Sequence, residues 1–157
     1  MIYYVGKMAA KIIATNRRAH HDYTVLETLE AGIELKGAEV KSLRSGKASL
    51  SDSFARVEQS EIFIYNLHIP PYAFGNIANP EPVRPRKLLL HKRQIKYLDA
   101  EVSTKHVVLV PLKIYLNDDN IVKLELSIAK GKKLYDKRES IRRRETDREL
   151  RRAMKRR

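Results

Sequence analysis

The sequence predicts a mainly β protein, a small antiparallel barrel with two or three short helices and a basic C-terminal tail. Three observations predict it. Apolar and polar residues alternate with a period of two in several segments bounded by turn residues, as in strands with one buried face. Only two short stretches between them have helical spacing. The alternation then stops at Gly131, and residues 131–157 hold 13 Lys and Arg against 5 Asp and Glu, or +8 of the chain's total of +13. The first 130 residues carry only +5. A compact body with a basic extension suits a polyanionic partner, and nucleic acid is the most available one.

The 157 residues suffice for one domain with a real core plus an appendage. We divide the chain into a flexible N-terminal arm at 1–12, a barrel at 13–130 and a tail at 131–157. No run approaches the ~20 apolar residues of a membrane span. Met1–Val5 is too short for a signal-peptide core. Cysteine is absent, which removes disulfides, thiolate metal sites and a cysteine nucleophile and fits a reducing, cytoplasmic setting.

Residues 16–22, Asn-Arg-Arg-Ala-His-His-Asp, are dense in hydrogen-bonding groups. Tyr23, Val25, Glu27 and Leu29 then alternate with Thr24, Leu26, Thr28 and Glu30 as a strand. Ala31-Gly32 interrupts it, signalling a bulge or a close backbone approach, and Ile33 and Leu35 resume. Val40 and Leu43 share a helical face between Gly37 and Gly46, predicting a short helix. Ser49–Val57 and Glu61–Leu67 are strands turning at Gln59-Ser60. Pro70–Pro85 holds five of the six prolines and reads as a surface loop. From His91, Ile95, Leu98 and Val102 recur at helical spacing. Val107–Leu116, with an apolar face at Val108, Val110, Leu112, Ile114 and Leu116, pairs through Asn117–Asn120 with a return strand that puts Val122, Leu124, Leu126 and Ile128 inward. Antiparallel strands joined this way suit an OB-like barrel, whose closure removes exposed edges.

Several constellations invite a chemical reading. His20, His21 and Asp22 are adjacent, so in an extended chain they do not converge on one metal ion. Glu39 beside Lys41 and Arg44 has the spacing of ordinary surface charge. No Walker loop, nucleophile elbow or paired-carboxylate site is present, and neither metal nor cofactor is expected. Arg84, Arg86, Lys87, His91, Lys92 and Arg93 place six basic residues in ten beside Leu88–Leu90, which favours a docking surface. Tyr72 and Phe74 either stack on bases or cover the barrel end. Lys130, Lys132 and Lys133, where the barrel ends, are assigned to its RNA-binding face; the tail beyond holds Arg142, Arg143 and Arg144, with Asp147–Arg151 as an i, i+4 pair and Ile141, Leu150 and Met154 as a thin apolar stripe. Such a segment is expected to be disordered when free and helical along RNA.

The strings NRRAHHDY, EAGIELKGAEVKSLRSGKASLSDSF, RPRKLLLHKRQI and AKGKKLYDKR, in that order, resemble the small protein B family of SsrA-binding proteins from about Ile13 to Arg144. The resemblance implies a non-enzymatic, cytoplasmic RNA-binding protein of trans-translation. It would bind the tRNA-like domain of transfer-messenger RNA and accompany it, with elongation factor Tu, into the vacant A site of a stalled ribosome. The tail would then sense the empty mRNA channel. The family's RNA face falls on Asn16 with Arg17 and Arg18, on Glu30, and on Leu90 and His91, beside Arg86 and Lys87. Its tail motif falls on Asp136, Lys137 and Arg138, with Tyr135 placed to stack on a decoding-centre base, and the late apolar pair of some members is Ala153-Met154 here. A monomer with no membrane partner is expected. Two other readings compete: a ribosomal or ribosome-assembly protein with a basic extension, and a small RNA-processing enzyme using His20, His21 and Glu39.

Overall fold

The computed structural model describes residues 11–72, 79–132 and 134–155, without the side chains of 134–137. The elements follow as β1 (Lys11–Thr15), α1 (Ala19–Asp22), β2 (Tyr23–Ile33), α2 (Gly37–Arg44), β3 (Phe54–Glu58), β4 (Glu61–Tyr65), β5 (Arg86–Leu89), α3 (Lys92–Lys105), β6 (Val108–Leu116), β7 (Val122–Gly131) and α4 (Leu134–Lys155). Every strand pair is antiparallel. From β6 the pairings run through β3, β4, β5, β2 and β7 and return to β6, while β1 extends along the same edge of β6 as β3. That closed ring is the OB-like barrel the sequence predicts, and its interior is filled by Ile62, Ile64, Leu88, Leu109, Ile114, Leu124, Leu126 and their neighbours. Among the described residues, no helix is long and apolar enough to cross a membrane.

Local chemistry explains the element ends. Gln59 and Ser60 both have positive φ (49° and 63°), the two-residue turn whose twist matches a hairpin. Gly46 takes φ 83° just past α2, where a side chain would be strained. The His91 backbone N–H donates to Gln94 Oε1 (3.0 Å) at the start of α3, and His106 ends that helix in the left-handed region.

The structure corrects several expectations. Lys11 and Ile12, assigned to the arm, begin β1; residues 1–10 lie outside the described residues. Strand β2 runs through Ala31-Gly32 without a break, and its bulge lies at Leu26, between Val25 and Glu27. Gly32 instead allows a close approach, since a Cβ there would stand 3.2 Å from the Leu89 Cβ. β3 starts at Phe54, not Ser49, which makes an isolated bridge with His68. The apolar face expected along β6 is split. Its register shifts between Pro111 and Lys113, so Leu109, Ile114 and Leu116 face the barrel interior, Val110 and Leu112 pack with Ala19 and Ala129 outside it, and Val108 is exposed. Proline has no N–H to sustain the ladder, and the extra residue reverses the alternation.

Glu39 is no surface charge. It is buried under Arg84 and Arg86 and accepts from the Lys36 backbone N–H (3.0 Å), Arg84 Nη2 and Arg86 Nε (2.5 Å). Arg86, 0% exposed, spends its remaining donors on the carbonyls of Leu67 (2.6 Å), Arg84 (3.3 Å) and Pro82 (3.0 Å). This network, with Ser42 Oγ donating to Pro70 O (2.7 Å), fastens the base of the proline-rich loop to α2.

Residues 141–155 of α4 are all exposed. At 1.5 Å per residue the helix is about 33 Å long. Its i, i+4 ion pair among the described residues is Arg143–Glu139 (2.8 Å) rather than Asp147–Arg151. Nine residues separate Ile141 from Leu150, which turns them to opposite sides of a 3.6-residue helix, so the expected single apolar stripe does not exist.

Candidate nucleic-acid interface

The outer surface of β1, β6, β7, β2 and β5 is set by alternation. One row of directly paired residues crosses all five strands: Ile12, Tyr115, Lys123, Gly32 and Leu89. A neighbouring row runs through Thr15, Lys113, Glu125 and Glu30. Where β2 meets β5, Gly32 leaves a hollow beside Leu89, which is 53% exposed. The hollow measures about 720 Å³ and is walled by Glu30, the Gln59-Ser60 turn, Lys87, Leu90, His91, Lys92 and Lys123. Four residues singled out in two separate sequence segments, Glu30 in one and Lys87, Leu90 and His91 in the other, thus share one site.

Its polar groups are held in place. Tyr115 Oη donates to Glu30 Oε2. Burial, followed by that hydrogen bond and the Glu30 charge, pushes the Tyr115 hydroxyl well above its ordinary value, so it remains a donor. Lys113 Nζ contacts Glu125 at 3.3 Å and stands 5.7 Å over the Tyr115 ring. Lys87 pairs with Glu61 (3.1 Å), and both side chains are substantially solvated, so the pair is readily exchanged for a phosphate. The hollow therefore offers apolar contact from Leu89 and Leu90, an imidazole at His91, cations at Lys87, Lys92 and Lys123, and a carboxylate that repels phosphate but accepts from base or sugar donors.

The other sites separate. Asn16 is buried, with Nδ2 donating to Pro111 O (3.0 Å) and its backbone N–H to Leu112 O (2.7 Å). It clamps the β6 bulge, and three inter-strand steps of about 4.8 Å place it roughly 15 Å from Glu30. Arg17, Arg18 and Lys130 are exposed near α1. Lys132 Nζ donates to His20 O (2.9 Å) and its backbone N–H to Asp22 O (3.0 Å), tying the start of the tail to α1. Lys130 pairs with Thr24, six residues along β2 from Glu30, or about 20 Å. The cationic positions form an elongated band rather than one pocket. Arg86 does not join it, because its guanidinium is wholly engaged in the interior. Arg138, Arg142, Arg143, Arg144 and Met154 are exposed on α4. Lys133 and Phe74, with the side chains of Tyr135, Asp136 and Lys137, lie outside the described residues.

His20, His21 and Asp22 sit on a helical turn rather than in an extended chain, and His21 Nδ1 meets Asp22 Oδ1 at 2.9 Å. No group of three metal-ligating side chains occurs among the described residues. A second cleft, about 440 Å³ and largely apolar, opens where β3 joins β6 through the single pair Ala55–Leu109. Of the expected site residues it includes Asn16 and Arg18. Sequence reasoning missed Leu89, Lys113, Tyr115 and Lys123; their signal was the outward half of the hairpin alternation.

A family model described as "SmpB protein" matches residues 13–156. An SsrA-binding protein of Caldicellulosiruptor bescii is 59% identical over 145 residues, covering 92% of this chain and 91% of that relative. The SsrA-binding protein of Caldanaerobacter subterraneus subsp. tengcongensis is 58% identical over 149 residues, covering 95% and 94%. That of Enterococcus faecalis is 50% identical over 149 residues, covering 95% and 96%. A solved structure reported as "tmRNA-SmpB: a journey to the center of the bacterial ribosome" superposes with a TM-score of 0.67 at 52% identity, over 83% of this chain and 94% of that one. With a family match over nearly its whole length and relatives this similar, the chain belongs to the SmpB family of SsrA-binding proteins.

Proposed function

We propose that this protein binds the tRNA-like domain of transfer-messenger RNA and delivers it to the A site of stalled ribosomes, where its tail senses the empty mRNA channel. The observation that carries the reading is the meeting of Glu30, Leu90 and His91 in one cation-bordered hollow, in a chain matching the family over residues 13–156. Glu30 reads donors on unpaired bases or sugars, Leu89 and Leu90 pack against a base beside the His91 imidazole, and Lys87, Lys92 and Lys123 neutralise phosphate. Arg17, Arg18, Lys130, Lys132 and Lys133 extend the contact along the backbone. Asn16 acts by holding the β6 bulge, and Arg86 by holding the loop beneath the site.

The tail, residues 131–157, is disordered in the free protein and helical on the ribosome. The exposure of every residue from 141 to 155 supports this, because a helix without a buried face is marginal in water. Tyr135, Asp136, Lys137 and Arg138 act at the decoding centre, and Arg142, Arg143, Arg144 and Met154 lie farther along the channel. The protein works as a monomeric, cytoplasmic binding module without metal or cofactor, delivered in company with elongation factor Tu. The test is a titration of the full chain and of a chain ending at Lys130 against transfer-messenger RNA and a same-length RNA lacking the tRNA-like fold, at two salt concentrations. Both chains should prefer the tRNA-like RNA, with a preference that survives higher salt. Loss of all selectivity with the tail or with salt would leave a generic basic RNA binder and overturn the reading.

A further inference from the structure

The cleft between β3 and β6 shares no lining residue with the hollow around Glu30, and its chemistry is different. It follows from the β6 bulge. Val110 and Leu112 turn outward to pack with Ala19, Val108 is left 41% exposed, and β3 stays joined to β6 through the single pair Ala55–Leu109. Helix α1 contributes Ala19 to the walls, and α3 contributes Asp99 and Val102. The resulting space of about 440 Å³ lies within the range of ligand pockets and is lined chiefly by apolar groups, among them Phe54, Val57, Val102 and Val108.

Charge decides what such a cleft can hold. The chain carries 32 Lys and Arg against 19 Asp and Glu, yet Asp22, Asp52 and Asp99 border this cleft with Arg18 and Arg56. Arg56 is already engaged, lying 3.8 Å from Glu58 and 5.9 Å over the rings of Phe54 and Tyr65. Asp22 meets His21 at 2.9 Å. Among the described residues lining the cleft, that leaves Asp52 and Asp99 against Arg18. Phosphate gains little at such a rim, and Phe54 has one ring face covered by Tyr65, stacked at 5.4 Å, which limits its use to a base. We propose that the β3–β6 cleft is a docking site for an extended basic segment of a partner protein, whose aliphatic side chains enter the cleft while its Lys or Arg pair with Asp52 and Asp99. Charge complementarity selects that occupant. Beyond Ala55–Leu109 the edges of β3 and β6 have no register partner in each other, so an added strand finds main-chain groups to pair with. Long cationic side chains suit the rim, because their stems lie on Val102 and Val108 while the charge reaches a carboxylate.

The test is a nuclear magnetic resonance titration of the full, nitrogen-labelled chain with each of three probes. They are the blocked peptide Lys-Val-Lys-Leu-Lys-Val, the same peptide with Glu for every Lys, and a short uridylate RNA. The basic peptide should shift the amides of residues 54–57 and 107–110 in a saturable way. Asp52→Asn with Asp99→Asn should weaken that binding about tenfold, and Val108→Lys, which sets a cation in the cleft, should do the same. Asn is tolerated at residue 52, where φ is 60°, so the first variant keeps its turn. Both variants should bind transfer-messenger RNA within about fivefold of the parent chain, the scale of a surface charge change, which separates this site from the RNA site. Equal shifts with the acidic peptide would remove the charge selection and overturn the proposal. Shifts of the same amides by the uridylate in place of the basic peptide would make the cleft an RNA surface, and no shifts with any probe would leave no docking site; either result overturns it. Peptide binding unchanged in both variants would place the peptide elsewhere on the barrel, with the same consequence.

Discussion

At the scale of single residues, two carboxylates that look alike in the sequence have opposite work. Glu39 is enclosed with Arg86 and shielded by Arg84. Burial disfavours its charge, but hydrogen bonds from Arg84, the Lys36 N–H and Arg86 outweigh it, holding the carboxyl below its ordinary 4.5. A folded value below the unfolded one means that the group stabilises the fold fully above pH ~4.5, and that this contribution is lost as pH falls through the folded value. Glu39→Gln should cost about 3–5 kcal/mol in urea unfolding at pH 7, because Arg86 remains buried without its counter-ion, and the deficit should shrink in acid. A deficit independent of pH would mean that packing, not charge, carries the effect. Glu30, by contrast, is exposed and anchored by Tyr115. Tyr115→Phe should leave the thermal midpoint nearly unchanged and weaken binding of the tRNA-like RNA about three- to tenfold, as measured by titration, since the hydrogen bond that orients Glu30 is lost. Tighter binding would instead show that Tyr115 competes with RNA for that carboxylate.

At the scale of elements, the bulges decide which side chains reach the surface. The register shift after Pro111 sends Val110 and Leu112 outward to meet Ala19 while returning Ile114 and Leu116 to the interior. Asn16 supports that irregularity by donating to the Pro111 carbonyl and the Leu112 carbonyl. Asn16→Ala leaves one of these acceptors unsatisfied, and any fall in RNA affinity should accompany a fall in stability of about 1–3 kcal/mol, seen in the same unfolding measurement. Affinity lost at full stability would place Asn16 on the RNA itself. The α4 helix behaves differently, because no tertiary face holds residues 141–155. Its amides should exchange with solvent near the rate of an unstructured chain in the free protein, whereas those of β4 and β7 approach the protection of global unfolding. Slow exchange along α4 in free solution would contradict the disorder we assign to it.

At the scale of the whole molecule, a rigid barrel and an exposed basic helix are joined where β7 passes into the tail, and Lys132 fixes that junction to α1. The division predicts separable losses. Changing Asp136, Lys137 and Arg138 together to Ala should leave binding to isolated transfer-messenger RNA within about twofold, roughly the scatter of surface substitutions, while abolishing peptide tagging on stalled ribosomes. An equal collapse of RNA affinity would merge the tail into the primary RNA site.

The sequence by itself determined the order of most elements, the hairpins and the short helix between Gly37 and Gly46, and its family motifs made Glu30, Leu90 and His91 candidates, because period, turn chemistry and motif are local properties of a chain. Only the tertiary structure decided that Arg86 leaves the basic cluster for the interior and that Glu39 waits for it there, since partners 47 residues apart leave no periodic mark. It also decided that Tyr115, Lys123, Gly32 and Leu89 form one continuous row, because neighbours across a sheet are set by register and not by sequence distance.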